Sequence, residues 1–310
     1  MQRAPHPCLN GLVRQVWLST PCASPAAAAA PGASHELMMP TGDMHLVLRL
    51  SGAPLELLDS RSGESNTTRQ NLGHAVVGGA RAASYLKAWS PPGETIGVQL
   101  RAGAAYSLFG LPADELAGRH VRLDALWGAD AHALREQLQA TPTAGAKLRC
   151  LEHFLLRRWQ ADPALRSGGP LPAVLAGLQQ LQAGRSVDEA ARHAGYSQRQ
   201  FARLFSQAVG LPPRLYARVQ RFQKALGLLH GGALSARLAD VAADAGYSDQ
   251  PHFNRDFLEM SGLTPAQYRA ARPAAAHHVP LRLAAGGDVR FVQDRRLPAA
   301  DNAGSGVHRT

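Results

Sequence analysis

Two stretches of this chain follow one pattern, and that repeat narrows the fold more than any other feature. Residues 194–216 read "AGYSQRQFARLFSQAVGLPPRLY", and residues 245–268 read "AGYSDQPHFNRDFLEMSGLTPAQY". In the first copy Ser197 and Gln200 stand three apart ahead of an apolar-periodic run, the S-x-x-Q signature of a capped helix start. Phe201, Leu204 and Phe205 fall on one face and are expected inside, while Arg199, Gln200 and Arg203 fall elsewhere and face outward. Upstream, Ser186 and Glu189 form another capping box for "VDEAARHA", and Gly195 ends that helix. Two short helices joined by a tight turn containing Gly outline a helix-turn-helix unit.

The second copy repeats the design with one extra residue in the turn. "RLADVAADA" supplies the first helix, Gly246 the turn and Asp249 the cap. Pro251 then falls in the first helical turn, where a missing N–H costs little. Phe201 and Phe253 lie four residues past their caps, and Arg203 and Arg255 six. Beyond them a constant offset of 52 relates Gly210 to Gly262, Pro213 to Pro265 and Tyr216 to Tyr268. Between the copies, "PPRLYARVQRFQKALGLLHGG" reads as a basic connecting helix that starts at proline and stops at paired glycines.

One helix-turn-helix unit places one helix in one major groove. A dimer usually supplies the next, about 34 Å along the duplex. Two units on one chain can reach successive grooves without a partner. The outward side chains suit base edges: Arg pairs with guanine, and Asn or Gln with adenine. By this register the outward Arg199, Gln200, Arg203 and Arg255 are candidates for base contact. Ser197, Arg214, Arg218, Arg221 and Lys224 are the candidates for phosphate contact, or else form a solvated basic face.

These motifs resemble the DNA-binding domain of the AraC/XylS family of bacterial transcription regulators. "AGYSQRQFARLF", "GLPPRLY", "LADVAADAGYSDQPHFNRDF" and "GLTPAQYR" carry the resemblance, over residues 170–272. It implies an all-α domain of seven helices with two recognition helices in adjacent major grooves. Carried over by position, it implies base-proximal Arg199, Ala202 and Arg203 in the first unit and Gln250, Pro251, His252, Asn254 and Arg255 in the second, of which Ala202 and Pro251 can make no polar base contact. It also implies double-stranded DNA and RNA polymerase as partners, usually in activation. Family members commonly add a domain that senses a small molecule or holds a homodimer.

The rest of the chain has a different texture. From 37 to about 107, short apolar runs such as "HLVLRL", "HAVVGG" and "TIGVQL" alternate with Gly, Pro, Ser and Asn, as in a compact antiparallel sheet or barrel. "NGLVRQVWLS" (10–19) reads as a short amphipathic element, "PCASPAAAAAPGAS" as a loop and "SRSGESNTTRQN" as an exposed hairpin loop. From about 112 the period turns helical, with "PADELAG" as a short capped helix. Leu148, Leu151, Leu155 and Trp159 line one helical face. "LMMPTGDMHLVLRL", "VVGG" and "GVQLRAGAAYSLFGLPADELAGRHVRLDALWG" resemble a poorly characterised β-rich domain found ahead of such DNA-binding domains. That domain's P-D-G and R-P-G-A-A segments appear here as Pro40-Thr41-Gly42 and Arg101-Ala102-Gly103. The expected class is α+β. A β-rich, barrel-like sensing or dimerisation domain with helices spans 1–166 and the DNA-binding domain 170–272. A partly disordered tail fills 273–310, in which "DVRFVQD" makes one strand.

The formal net charge is +10 and the pI about 10.2, a balance that suits a polyanion. The DNA-binding region holds 12 Arg and Lys against 7 Asp and Glu, so its positive charge is the denser. No apolar run reaches the length of a membrane span and no signal peptide is legible, so a cytoplasmic protein without a membrane partner is expected. Cys8, Cys22 and Cys150 show no zinc spacing and read as reduced, mostly buried thiols. Trp17 and Trp89 read as core. His35, His45, His74, His120 and His132 are scattered, with no H-x-H or H-x-x-E-H spacing, so no cofactor or metal and no enzyme activity are expected. Two rival readings stay open: a non-specific architectural DNA binder, and a metal-dependent β-barrel enzyme fused to a DNA-binding domain.

Overall fold

The computed structural model describes residues 1–20, 35–59, 68–88, 93–163, 172–232, 236–283 and 289–291. The N-terminal region builds two six-stranded antiparallel sheets. The first runs β1 (Gln2–Arg3), β2 (Val13–Ser19), β9 (Thr95–Leu100), β4 (His45–Arg49), β7 (Ala75–Gly78) and β10 (His120–Arg122). The second runs β12 (Val289–Phe291), β11 (His278–Leu283), β3 (His35–Met38), β8 (Tyr85–Ala88), β5 (Glu56–Asp59) and β6 (Thr68–Asn71). Neither sheet closes on itself, so the barrel-like expectation resolves into two open sheets sharing one core. Alternation decides which side is buried. Leu46 and Leu48 of β4 and Ile96 and Val98 of β9 are wholly buried. At Gly97 a Cβ would stand 2.5 Å from the Trp17 ring, so only glycine lets that indole lie across the strand.

Several expectations need correction. The amphipathic element at 10–19 is strand β2 from Val13 onward. "PADELAG" forms only a 3-10 turn, Ala113–Glu115. Part of the polar hairpin loop is strand β6. In the tail "DVRFVQD" carries strand β12, and a second strand, β11, pairs with β3 through His278–Leu281, aligning Pro280 with Glu36. Cys8 is exposed and Cys150 half-buried, so those thiols are less sheltered than expected. Cys22, Trp89, the Ala-rich loop and the 166/170 boundary lie outside the described residues.

Among the described residues four helices come after β9, with β10 between the first two: α1 (Ala104–Phe109), α2 (Leu123–Trp127), α3 (Ala129–Ala140) and α4 (Ala144–Ala161). Leu148, Leu151 and Leu155 of α4 are fully buried, as their spacing predicts. Arg3 forks onto Glu152 at 3.0 and 2.6 Å, tying the N-terminus to α4. Among the described residues seven helices make the C-terminal region: α5 (Pro172–Gln182), α6 (Val187–His193), α7 (Gln198–Val209), α8 (Pro213–Gly231), α9 (Leu238–Ala245), α10 (Gln250–Ser261) and α11 (Pro265–Ala271). Buried residues of both regions join one hydrophobic cluster. Among the described residues no helix is long and apolar enough to cross a membrane.

Candidate nucleic-acid interface

Local sequence positions both recognition helices. Ser186 and Glu189 complete a capping box at α6. Gly195 takes φ +72, a left-handed turn that a side chain would strain. The Ser197 hydroxyl then accepts the Gln200 N–H at 3.3 Å and starts α7. In the second unit Gly246 takes φ +88 after α9, and the Asp249 carboxylate accepts the His252 N–H at 2.7 Å to start α10. Pro251 sits in the first turn.

The copies match in their interiors as well. The Phe201 and Phe205 rings lie 5.5 Å apart, tilted by 50°, and Phe205 meets Tyr216 at 5.5 Å. The residues 52 positions on repeat the geometry: Phe253 to Phe257 at 5.7 Å, and Phe257 to Tyr268 at 5.8 Å. All four phenylalanines are fully buried. Gly177 of α5 makes room for the first triad, since a Cβ there would stand 2.5 Å from the Phe201 ring.

The outward faces are less alike. Ser197, Arg199, Gln200 and Arg203 are exposed on the first unit and Arg255 on the second, whereas Gln250, His252 and Asn254 are half-buried. His252 is drawn back to the turn: a ring nitrogen lies 3.1 Å from Ser248 Oγ, and the ring meets Tyr247 edge-on at 5.3 Å. The Asn254 side-chain oxygen is buried and, among the described residues, has no hydrogen-bond partner.

On the connecting helix α8, Arg214 and Lys224 are exposed and Arg221 is half-buried. Arg221 lies over the Tyr247 ring at 5.6 Å. Arg218 is committed elsewhere. Its Nε donates to Asp256 Oδ1 at 2.8 Å and its Nη2 to Glu259 Oε2 at 2.8 Å. The Tyr247 hydroxyl donates to the other Asp256 oxygen at 3.1 Å. Asp256 is 4% exposed, so its charge depends on those donors. Burial and the Asp256 charge raise the Tyr247 phenol well above its usual range, which keeps it a donor. Sequence reasoning missed this bridge. Its signal was the repeat itself: the 52-residue offset places Asp256 where the first unit has Leu204.

The fold and these faces define a class: a pair of capped helix-turn-helix units on one chain. Residues 190–271 match the family described as Helix-turn-helix domain, and residues 1–122 match a Domain of unknown function (DUF6597). Similar curated proteins include the F1 operon positive regulatory protein of Yersinia pestis, 33% identical over 27% of this chain and 27% of that protein. The virulence regulon transcriptional activator VirF of Yersinia enterocolitica is 32% identical over 29% and 33%. The HTH-type transcriptional activator RhaR of Yersinia pestis bv. Antiqua (strain Angola) is 31% identical over 36% and 39%. The matched part of each relative is therefore about a third of its length. Among solved structures, an AraC-type regulator from Chromobacterium violaceum is 29% identical, covering 33% of this chain and 94% of that one with a TM-score of 0.31. ToxT from Vibrio cholerae O395 is 10% identical, covering 82% and 95% with a TM-score of 0.42. The C-terminal region carries a helix-turn-helix domain of the AraC type.

Proposed function

We propose that this protein is a sequence-specific regulator of transcription that reads duplex DNA with α7 and α10 in successive major grooves. The observation that carries the reading is the duplicated frame: two caps, two buried aromatic triads and exposed arginines at equivalent positions, Arg203 and Arg255. A non-specific phosphate binder has no need of that register. Arg199 and Gln200 extend the first reading face. Gln250, His252 and Asn254 border the second, where rotation of half-buried side chains would bring them to base edges. Ser197, Arg214 and Lys224 suit phosphates, with Arg221 beside them. Arg218 acts in this reading by holding α10 onto α8.

The protein works in the cytoplasm, without enzyme activity, as an activator that contacts RNA polymerase. The words "positive" and "activator" in the relatives' names support that sign. The N-terminal region controls the DNA-binding region and, in a homodimer, would pair two copies. A small-molecule effector would sit in the cavity of about 840 Å³ where the second sheet meets the second unit, lined by Leu57, Arg81, Tyr85, His120, Ser261 and Gln267.

Selection from a random duplex library by the full chain, at near-physiological salt, tests the reading. The expected result is a split motif whose halves lie about one helical turn apart. Binding with no enriched motif that disappears as salt rises would replace it with the architectural reading.

A further inference from the structure

The two recognition helices end alike, and the N-terminal region holds each end. Ala208 and Met260 are equivalent under the 52-residue offset. The Ala208 carbonyl accepts the Gly103 N–H at 2.7 Å, and the Met260 carbonyl accepts the Ser84 N–H at 2.8 Å. Last-turn carbonyls need a donor from outside the helix. Here the sequence removes the local ones. Four residues past Ala208 stands Pro212, which has no N–H. Four past Met260 stands Thr264, whose N–H goes to Gln267 Oε1 at 2.8 Å.

The first grip has a close approach beside it and the second an ordinary contact. Gly210 and Gly262 turn the chain at φ +91 and +73, two residues past the held carbonyls. A Cβ on Gly210 would stand 3.0 Å from the Ala80 Cβ, and one on Gly262 4.0 Å from Ser84 Oγ. The Ser84 hydroxyl adds a bond to the Ser261 carbonyl at 3.0 Å. The middle of the seam is tied too: Gln223 of α8 donates to the Pro40 carbonyl at 2.5 Å.

We propose that the N-terminal region sets the relative placement of the two recognition helices, with Gly103 and Ser84 as paired positioning residues, and so determines which half-site spacing is bound. This rests on the DNA-reading function above. The competing account is that α8 alone sets the spacing. Arg218 and the Phe222–Phe257 contact fasten the second unit to α8, and the bonds at the two helix ends add a second, independent hold from the N-terminal region. Moving one half-site by one base pair rotates it by about 35° around the duplex. A pair of helices held in this way therefore discriminates spacing.

The test uses the full chain with Cys8, Cys22 and Cys150 replaced by serine, and spin labels on Arg203→Cys and Arg255→Cys. The expected result is one narrow distance distribution. Ser84→Pro, which removes the N–H, and Ala80→Leu, which wedges the first grip, should each shift or broaden it. Ser84→Ala keeps the N–H and should stay narrow. Circular dichroism identifies which variants fold. Amide exchange at Gly103 and Ser84 in the unmodified chain needs no variant and should be slowed about a hundredfold or more. An unchanged distribution in the folded variants, or fast exchange at both amides, overturns the proposal and leaves α8 as the spacer. In a spacing series, the unmodified chain should lose about tenfold in affinity per displaced base pair, and Ser84→Pro much less. If the grip responds to the variants but the unmodified chain shows no spacing preference, the hold exists and its DNA role is overturned. If the chain selects no DNA motif at all, the DNA-reading function itself fails.

Discussion

Arg203 and Arg255 occupy equivalent sites on α7 and α10, and both are exposed. Arg203→Ala or Arg255→Ala should cost about 1–3 kcal/mol of specific binding and relax preference at one base position. Titration against the selected site and against random duplex checks this, and equal losses on both would remove the base-reading role. Arg218 calls for a different expectation. Removing it leaves Asp256 buried with Tyr247 as its remaining donor, which should destabilise the fold by about 1–3 kcal/mol. The salt slope of DNA binding should stay unchanged, whereas a phosphate contact would lower it by about 1. Urea melts and a salt titration of Arg218→Ala separate the two roles. The outward position of Arg203 was legible because helical period is a local property. The engagement of Arg218 was not, because its partner Asp256 lies 38 residues away and only packing brings them together.

At the scale of elements, the caps and glycine stops were readable residue by residue. Ser186, Ser197 and Asp249 each accept an N–H from within the first turn of their own helix. The tail strand β11 was not readable. "HVPLRL" contains a proline, and its hairpin partner β12 is only three residues long. It becomes a strand because the edge of β3, some 240 residues earlier, offers a ladder. Leu281 is fully buried there. Leu281→Ala should therefore cost about 2–5 kcal/mol, which chemical denaturation will measure. A loss below about half a kcal/mol would mean that β11 contributes little to the core.

For the whole molecule, buried titratable groups predict a marked sensitivity to acid. Desolvation, then the charges of Arg81 and His45, hold His120 down to about 3. Desolvation and nearby His277, His278 and Arg14 hold His45 at about 4. Both return to about 6.5 on unfolding. The unfolded chain then binds more protons below pH 6.5, so stability is present above that pH and is lost as pH falls towards 4 and 3. Burial alone would raise Glu36, but the hydrogen bond from His278 and the charge of Lys87 bring it to about 2, from 4.5. Its contribution adds a second loss below pH 4.5. Thermal melts between pH 7.5 and 4 should show a falling midpoint, and His120→Gln should flatten the first part of the fall. An identical pH profile in that variant would rule His120 out as a source.

What the sequence determined by itself was everything encoded within a few residues. Caps, glycine stops, helical period and the 52-residue repeat define two helix-turn-helix units, because hydrogen bonds within one turn and apolar spacing need no distant partner. Tertiary structure alone decided the rest. Two open sheets formed in place of a closed barrel, β11 joined the edge of β3, and Arg218 turned to Asp256. Gly103 and Ser84 came to hold the ends of the recognition helices. Each depends on surfaces far apart in the chain meeting, where burial and unpaired backbone groups choose partners that no local pattern names.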